Sequence, residues 1–261
     1  MNEKVEFVEN SQIAFKGTIN GIIGSYIYNV IIAVFFSIVA STIVAGQNTG
    51  MGQEELSLLA EDYYVSKFSI LATCLGSVVT LVTSIIIMKF SKFKEICKKA
   101  INSKSVLYGV AGFFAIIMFQ LIFNVFHSFI GLDSSGNSNQ DSVVNLILNN
   151  PLLGFALVVV LSPIVEEIVY RYFLFGGLVK SKKKWVAYVV ASLIFMFMHS
   201  ISSFTEYGFS KELLMEFLYL PGYLTSGLIL CYVYDKSENL GSSYIAHTLN
   251  NLLAFLGAIL L

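Results

Sequence analysis

The chain has 261 residues, 56% of them hydrophobic and 13% charged, where an ordinary soluble domain carries about 25% charged residues. Its formal net charge is −1, from 16 Lys and Arg against 17 Asp and Glu, and the charge is segregated along the chain rather than clustered for binding nucleic acid. These numbers argue against a soluble domain and a nucleic-acid partner, and point to a lipid bilayer as the chain's surroundings.

The first twenty residues, MNEKVEFVENSQIAFKGTIN, are polar and mixed in charge. They lack a basic region followed at once by a short apolar stretch and a small-residue cleavage site, so no cleaved signal is expected. A spanning helix needs about 20 apolar residues. Seven runs meet or approach this, at 21–45, 68–88, 107–131, 151–179, 185–201, 213–233 and 244–261. The fifth and seventh are short and hold polar residues. The expected fold class is therefore all-α, a polytopic integral membrane helical bundle with about seven transmembrane helices.

Lysine placement orients the bundle. The segment 89–106 holds Lys89, Lys92, Lys94, Lys98, Lys99 and Lys104, and the loop after the fourth run holds Lys180, Lys182, Lys183 and Lys184. The segments 46–67 and 132–150 instead hold Glu54, Glu55, Glu61, Asp62, Asp133 and Asp141. Lysine-rich short loops stay in the cytoplasm, so a cytoplasmic N-terminus is expected, with both basic segments on its side. The segment 132–150 reads as a loop. It divides an N-terminal region of three helices, 1–147, from a C-terminal region, 148–261.

The fourth run, PLLGFALVVVLSPIVEEIVYRYFLFGGLV, is interrupted by Glu166, Glu167 and Arg171. A charge inside a membrane span is costly and normally faces the bundle interior, where it marks function. Glu167 and Arg171 stand four apart on one helix face and can pair. Arg171 is the one arginine of the chain, and its rigid fork suits a carboxylate. Glu166 points about 100° away from Glu167, free for another partner. At 29 residues the run exceeds one perpendicular crossing, so it must tilt, kink or protrude; Pro163 offers a kink.

The fifth run ends FMFMHS, with Phe195 four residues before His199, and the seventh begins YIAHTLNN, with His247 four residues before Asn251. Glu166 and His199 both lie roughly 20 Å of helix from cytoplasmic lysines and can meet. His247 lies shallower, unless the 235–243 segment dips into the protein or its helix starts earlier. A carboxylate and a histidine can hold and deprotonate a water, and a second histidine with an asparagine can donate to an oxyanion. The same Glu166, His199 and His247 could instead ligate a divalent metal, although no helix carries the HExxH pattern. His127 reads as an interfacial residue, Tyr170 as packing, and Cys74, Cys97 and Cys231 as ordinary small side chains outside any disulfide or zinc framework.

EEIVYR, FMFMH and HTLNN resemble the EExxxR, FxxxH and HxxxN motifs of the CPBP family, the CAAX protease and bacteriocin-processing (Abi) enzymes. The match runs over roughly residues 150–255, with the motifs in the family's order. The resemblance implies an intramembrane endopeptidase acting on a peptide or membrane-anchored protein. It implies Glu166 as the water-activating carboxylate with His199 as its partner, His247 and Asn251 on the oxyanion side, and Glu167 and Arg171 in support. The family has been described both as glutamic, needing no cofactor, and as metal-dependent. It also contains bacteriocin immunity proteins and regulators of peptide signalling. The alternative reading is thus a non-catalytic membrane partner, an immunity protein or a scaffold for a sensor kinase. A proton-coupled transporter is disfavoured, because no pair of broken helices repeats. The lysine-rich, arginine-poor composition suggests a bacterial plasma membrane.

Overall fold

The computed structural model describes residues 11–131, 138–201 and 217–260, and its described residues form ten helices with no strand. Asp133 and the start of the sixth run lie outside them.

Helix α1, Ser11–Gln47, is 37 residues long, about 55 Å. It lies close along the core because two glycines face it. A Cβ on Gly17 would stand 2.3 Å from the Phe173 ring, and one on Gly21 2.2 Å from Val169. Helix α2, Gln53–Lys67, carries Glu54 and Glu55 in its first turn, where the helix dipole favours acids. Helix α3, Ser69–Met88, returns through the bundle and ends at Lys89, whose φ of 71° makes the turn.

Helix α4, Phe90–Ala100, is short and amphipathic. Phe93 and Ile96 pack against the core around Met88 and Phe173. On its other face Lys99 and Lys92 hold Glu95 at 3.0 and 3.1 Å, which keeps that carboxyl below the usual carboxylate range. Asn102 caps helix α5, Ser103–Phe129, through a reciprocal bond with Ser105. Helix α6 spans Ser138–Asn149. The segments 46–67, 89–106 and 132–150, expected as loops, thus hold helices α2, α4 and α6. Their polar faces hide the helical period from a reading based on apolar length.

Helix α7, Pro151–Ser181, starts from an Asn150 cap and Pro151, suited to a first turn. It is not uniformly α-helical. Phe155–Leu161 and Glu167–Phe175 are π-helical, and Ser162–Glu166 between them is α-helical. Pro163 brings no N–H to the ladder, and the helix accommodates it with a wide turn on its N-terminal side rather than a break. Residues Glu167 to Phe175 are all buried, and α1, α8, α9 and α10 pack around them. Helices α8, Lys184–His199, α9, Leu220–Ser237, and α10, Leu240–Leu260, complete the bundle. Helix α5 meets α9 and α10 through Gly109 and Gly112, where a Cβ would press on Ile245 and Val233.

Each of the seven apolar runs corresponds to a helix. Five of these helices among the described residues are long and apolar enough to cross a membrane, and the protein is a multi-pass membrane protein. Lys184 pairs with Asp235 at 2.8 Å, and Asn239 Nδ2 donates to the Lys99 carbonyl at 2.7 Å. The lysine-rich α4, the start of α8 and the α9–α10 turn therefore share one end of the bundle.

Candidate active site

The polar groups in the apolar interior gather around α7. The step of one residue between Glu166 and Glu167 sends them to different neighbours. Glu167 is 1% exposed and Arg171 wholly buried, and Arg171 Nε stands 3.3 Å from Glu167 Oε2. The other carboxylate oxygen, Oε1, accepts from His247 Nδ1 at 2.9 Å. Ser243, one turn before His247, also lies against Glu167. The Arg171 guanidinium has no hydrogen-bond partner for its two terminal nitrogens among the described residues. Its flat face lies 4.6 Å from the Phe195 ring centre, an attraction between cation and ring quadrupole.

Glu166 faces a cavity instead. His199 Nδ1 meets the Phe195 carbonyl at 2.8 Å. Carbonyls and carboxylates only accept, so Nδ1 carries the hydrogen on both histidines and donates it. Each ring then turns Nε2 toward the same atom. Glu166 Oε2 lies 3.8 Å from His199 Nε2 and 3.7 Å from His247 Nε2. These separations are too long for direct hydrogen bonds, and Glu166 Oε2 is buried with no partner among the described residues. One water about 2.8 Å from each atom would span such gaps.

The depth of His247 is resolved by its surroundings. Helix α10 begins at Leu240, earlier than the run at 244, and Asp235, Ser237 and Asn239 before it are buried. Asn251 sits one turn beyond His247, and its Nδ2 donates to the Val158 carbonyl at 2.9 Å, within the first π segment. Asn250 accepts from Gln120 of α5 at 3.0 Å. Asn251 is thereby tied to α7, which sets the distance between α7 and α10.

A cavity of about 630 Å³ opens from Glu166, His199 and His247. Its lining includes Leu157, Val158, Phe195 and Leu230, and also Gln120, Asn124, His127 and Asn139. His127, expected at an interface, is instead buried. It bonds the Leu218 carbonyl at 3.0 Å and packs against Tyr219, because the chain leading into α9 covers it. Tyr223 is a site residue that sequence reasoning misses. It stacks on the His199 ring at 4.8 Å, and its hydroxyl accepts from Asn139 at 3.0 Å. No motif marks it, since a tyrosine in an apolar run reads as packing. Tyr170 does pack, edge-on to Phe195.

Glu166, His199 and His247 do not fit a metal centre as arranged. No group of three or more His, Cys, Asp or Glu among the described residues is set to hold an ion. A tetrahedral zinc ion would bring its ligand atoms about 3.3 Å apart, closer than the two separations seen. The inward rings, braced through Nδ1, are an arrangement that metal ligands also use.

Residues 148–253 match the family model described as type II CAAX prenyl endopeptidase, Rce1-like. The chain is 24% identical over 150 residues to the membrane-embedded CAAX protease MroQ of Staphylococcus aureus, covering 55% of this chain and 54% of that one. It is 33% identical over 122 residues to the UPF0177 protein YaiF of Lactococcus lactis, covering 45% and 47%. The UPF0177 protein YvdC of the same organism is 27% identical over 155 residues, covering 58% and 52%. The chain spans about half the length of the curated relatives it matches. No solved structure matches it. Glu166, Glu167, Arg171, His199, His247 and Asn251 all fall inside residues 148–253, and the resemblance carried by EExxxR, FxxxH and HxxxN is to this Rce1-like CAAX endopeptidase family.

Proposed function

We propose that the protein is an intramembrane endopeptidase that hydrolyses a peptide bond in a peptide or membrane-anchored protein, within residues 148–261. The observation that carries this reading is the convergence of two imidazole Nε2 atoms on one carboxylate oxygen, without a hydrogen-bond partner among the described residues, at the wall of a large cavity. Water held there donates one hydrogen to Glu166 and one to His199. As the water oxygen attacks the carbonyl carbon, Glu166 takes the proton. The oxyanion develops on the side of His247, held by Glu167 through its Nδ1–H, and of the Asn251 amide. The proton on Glu166 passes to the departing amine, and the products are an amine and a carboxylic acid, which releases its remaining proton to water. No step needs a covalent intermediate.

The test is cleavage of membrane peptides by purified wild type and Glu166→Gln. General acid–base catalysis contributes about 10² to 10⁴ in rate, so a loss in that range is expected, with the protein still folded. Equal rates would overturn the reading. Retention of the cellular function when Glu166 and His199 are both replaced would favour a non-catalytic partner role.

A further inference from the structure

A second cavity, of about 250 Å³, also reaches Glu166 and His199. The two cavities share Asn139, Ser162, Glu166 and His199. Beyond these residues the smaller one has its own lining. Beside Val165, Val169, Tyr170 and Met198 it is lined by Ser25 and Asn29 of α1 and by Ser77 and Thr80 of α3, polar groups that the larger cavity does not touch. Asn29 has room because residue 76 is glycine; a Cβ there would stand 2.2 Å from Asn29 Oδ1.

These side chains belong to a longer polar seam. Ser77, Thr80 and Ser84 recur at i, i+3 and i+7, one face of α3, and Asn20 of α1 donates to Ser84 at 3.1 Å. Ser84 is five residues from Lys89, about 7.5 Å along the helix, so the seam runs toward the lysine-rich end. Hydrolysis consumes one water per bond cleaved, adding OH to the acyl carbon and H to the amine nitrogen. While a peptide fills the large cavity, replacement water needs another path to Glu166.

We propose that the smaller cavity, with its Ser25–Asn29–Ser77–Thr80 lining, is the water inlet of the site. The proposal rests on the protease reading given above. Glu166 and His199 stand between inlet and peptide cavity, and Tyr223, stacked on His199 and bonded to Asn139, braces that partition.

The test uses the full chain with Cys74, Cys97 and Cys231 replaced by alanine. Ser77→Cys and Val78→Cys are each reacted with a small charged thiosulfonate, Val78 being an outward-facing neighbour on the same helix. We expect Ser77→Cys to react at least about tenfold faster, because the thiolate forms only in contact with water. Equal rates overturn the inlet, whether or not the protein cleaves peptides. In the active protein Ser77→Leu is expected to lower kcat about tenfold and leave KM within about twofold; Ser77→Val gives the same comparison should leucine prevent folding. A raised KM at unchanged kcat would assign the cavity to the peptide and overturn the inlet. Fast labelling with no cleavage by the unaltered protein would sink the protease reading and leave the hydrated cavity standing.

Discussion

Glu166 and Glu167 are the same side chain in opposite surroundings, and the two should fail differently. Glu166 is 23% exposed to its cavity and makes no ion pair with a lysine or arginine among the described residues, so Glu166→Gln should lower turnover by about 10² to 10⁴ and leave the melting temperature nearly unchanged. Glu167 is sealed between Arg171 and His247. Removing one partner of a buried pair costs about 3–5 kcal/mol, so Arg171→Met should lower thermal stability in detergent sharply, and Glu167→Gln combined with Arg171→Met should regain much of it. A melting curve for Arg171→Met that overlays the wild type would show that the pair does not hold the bundle. A chelator should leave turnover of the wild type within about twofold, because Glu166 Oε2 stands 3.8 and 3.7 Å from the two histidine nitrogens, farther than the roughly 3.3 Å a tetrahedral ion sets; activity lost on chelation and regained with zinc would refute this. Where Glu166, Glu167, Arg171, His199 and His247 lie is legible in the sequence because polar groups in apolar runs are costly and must gather. Their pairing is less so. The His247–Glu167 bond depends on where α10 begins, and the role of Tyr223 depends on a stacking contact that leaves no mark in sequence.

At the scale of the element, α7 does what a regular helix could not. Its two π segments place the α-helical turn holding Glu166 between widened turns, a feature frequent at functional sites, and Asn251 is anchored to a carbonyl of the first. Apolar length finds the seven runs. It is blind to the π segments of α7, and to α2, α4 and α6, whose sequences are too polar to register as spans. The contact of α1 with α7 is equally hidden, because Gly17 and Gly21 look like neutral spacers until Phe173 and Val169 are set against them. That contact gives a sharp prediction. Gly21→Ala puts a methyl into Val169, and overpacking of this kind typically costs about 1–3 kcal/mol. Val169→Ala in the same chain should recover most of the loss, read as the melting temperature of the double variant against each single one. Absence of coupling between the two would show that α1 does not seat at this point.

Across the whole molecule, charge asymmetry orders the bundle. The structure gathers the lysines of α4, Lys184 of α8 and the buried Asp235–Asn239 turn at one end, and the acidic α2 begins after the far end of α1. Lysine-rich ends stay in the cytoplasm, so this end is proposed to be cytoplasmic. Glu166 then lies about 20 Å of helix from Lys180, deep enough that a substrate segment must enter the bundle to be cut. Cys97 offers a direct check, because it is exposed on the lysine-rich α4, whereas Cys231 is buried. In a chain carrying Cys74→Ala and Cys231→Ala, an impermeant thiol reagent added to intact cells should leave Cys97 unmodified, and permeabilising the membrane should expose it. Modification before permeabilisation would turn the protein over, and the proposed water seam, which runs from Glu166 toward the same lysines, would then open on the outer side.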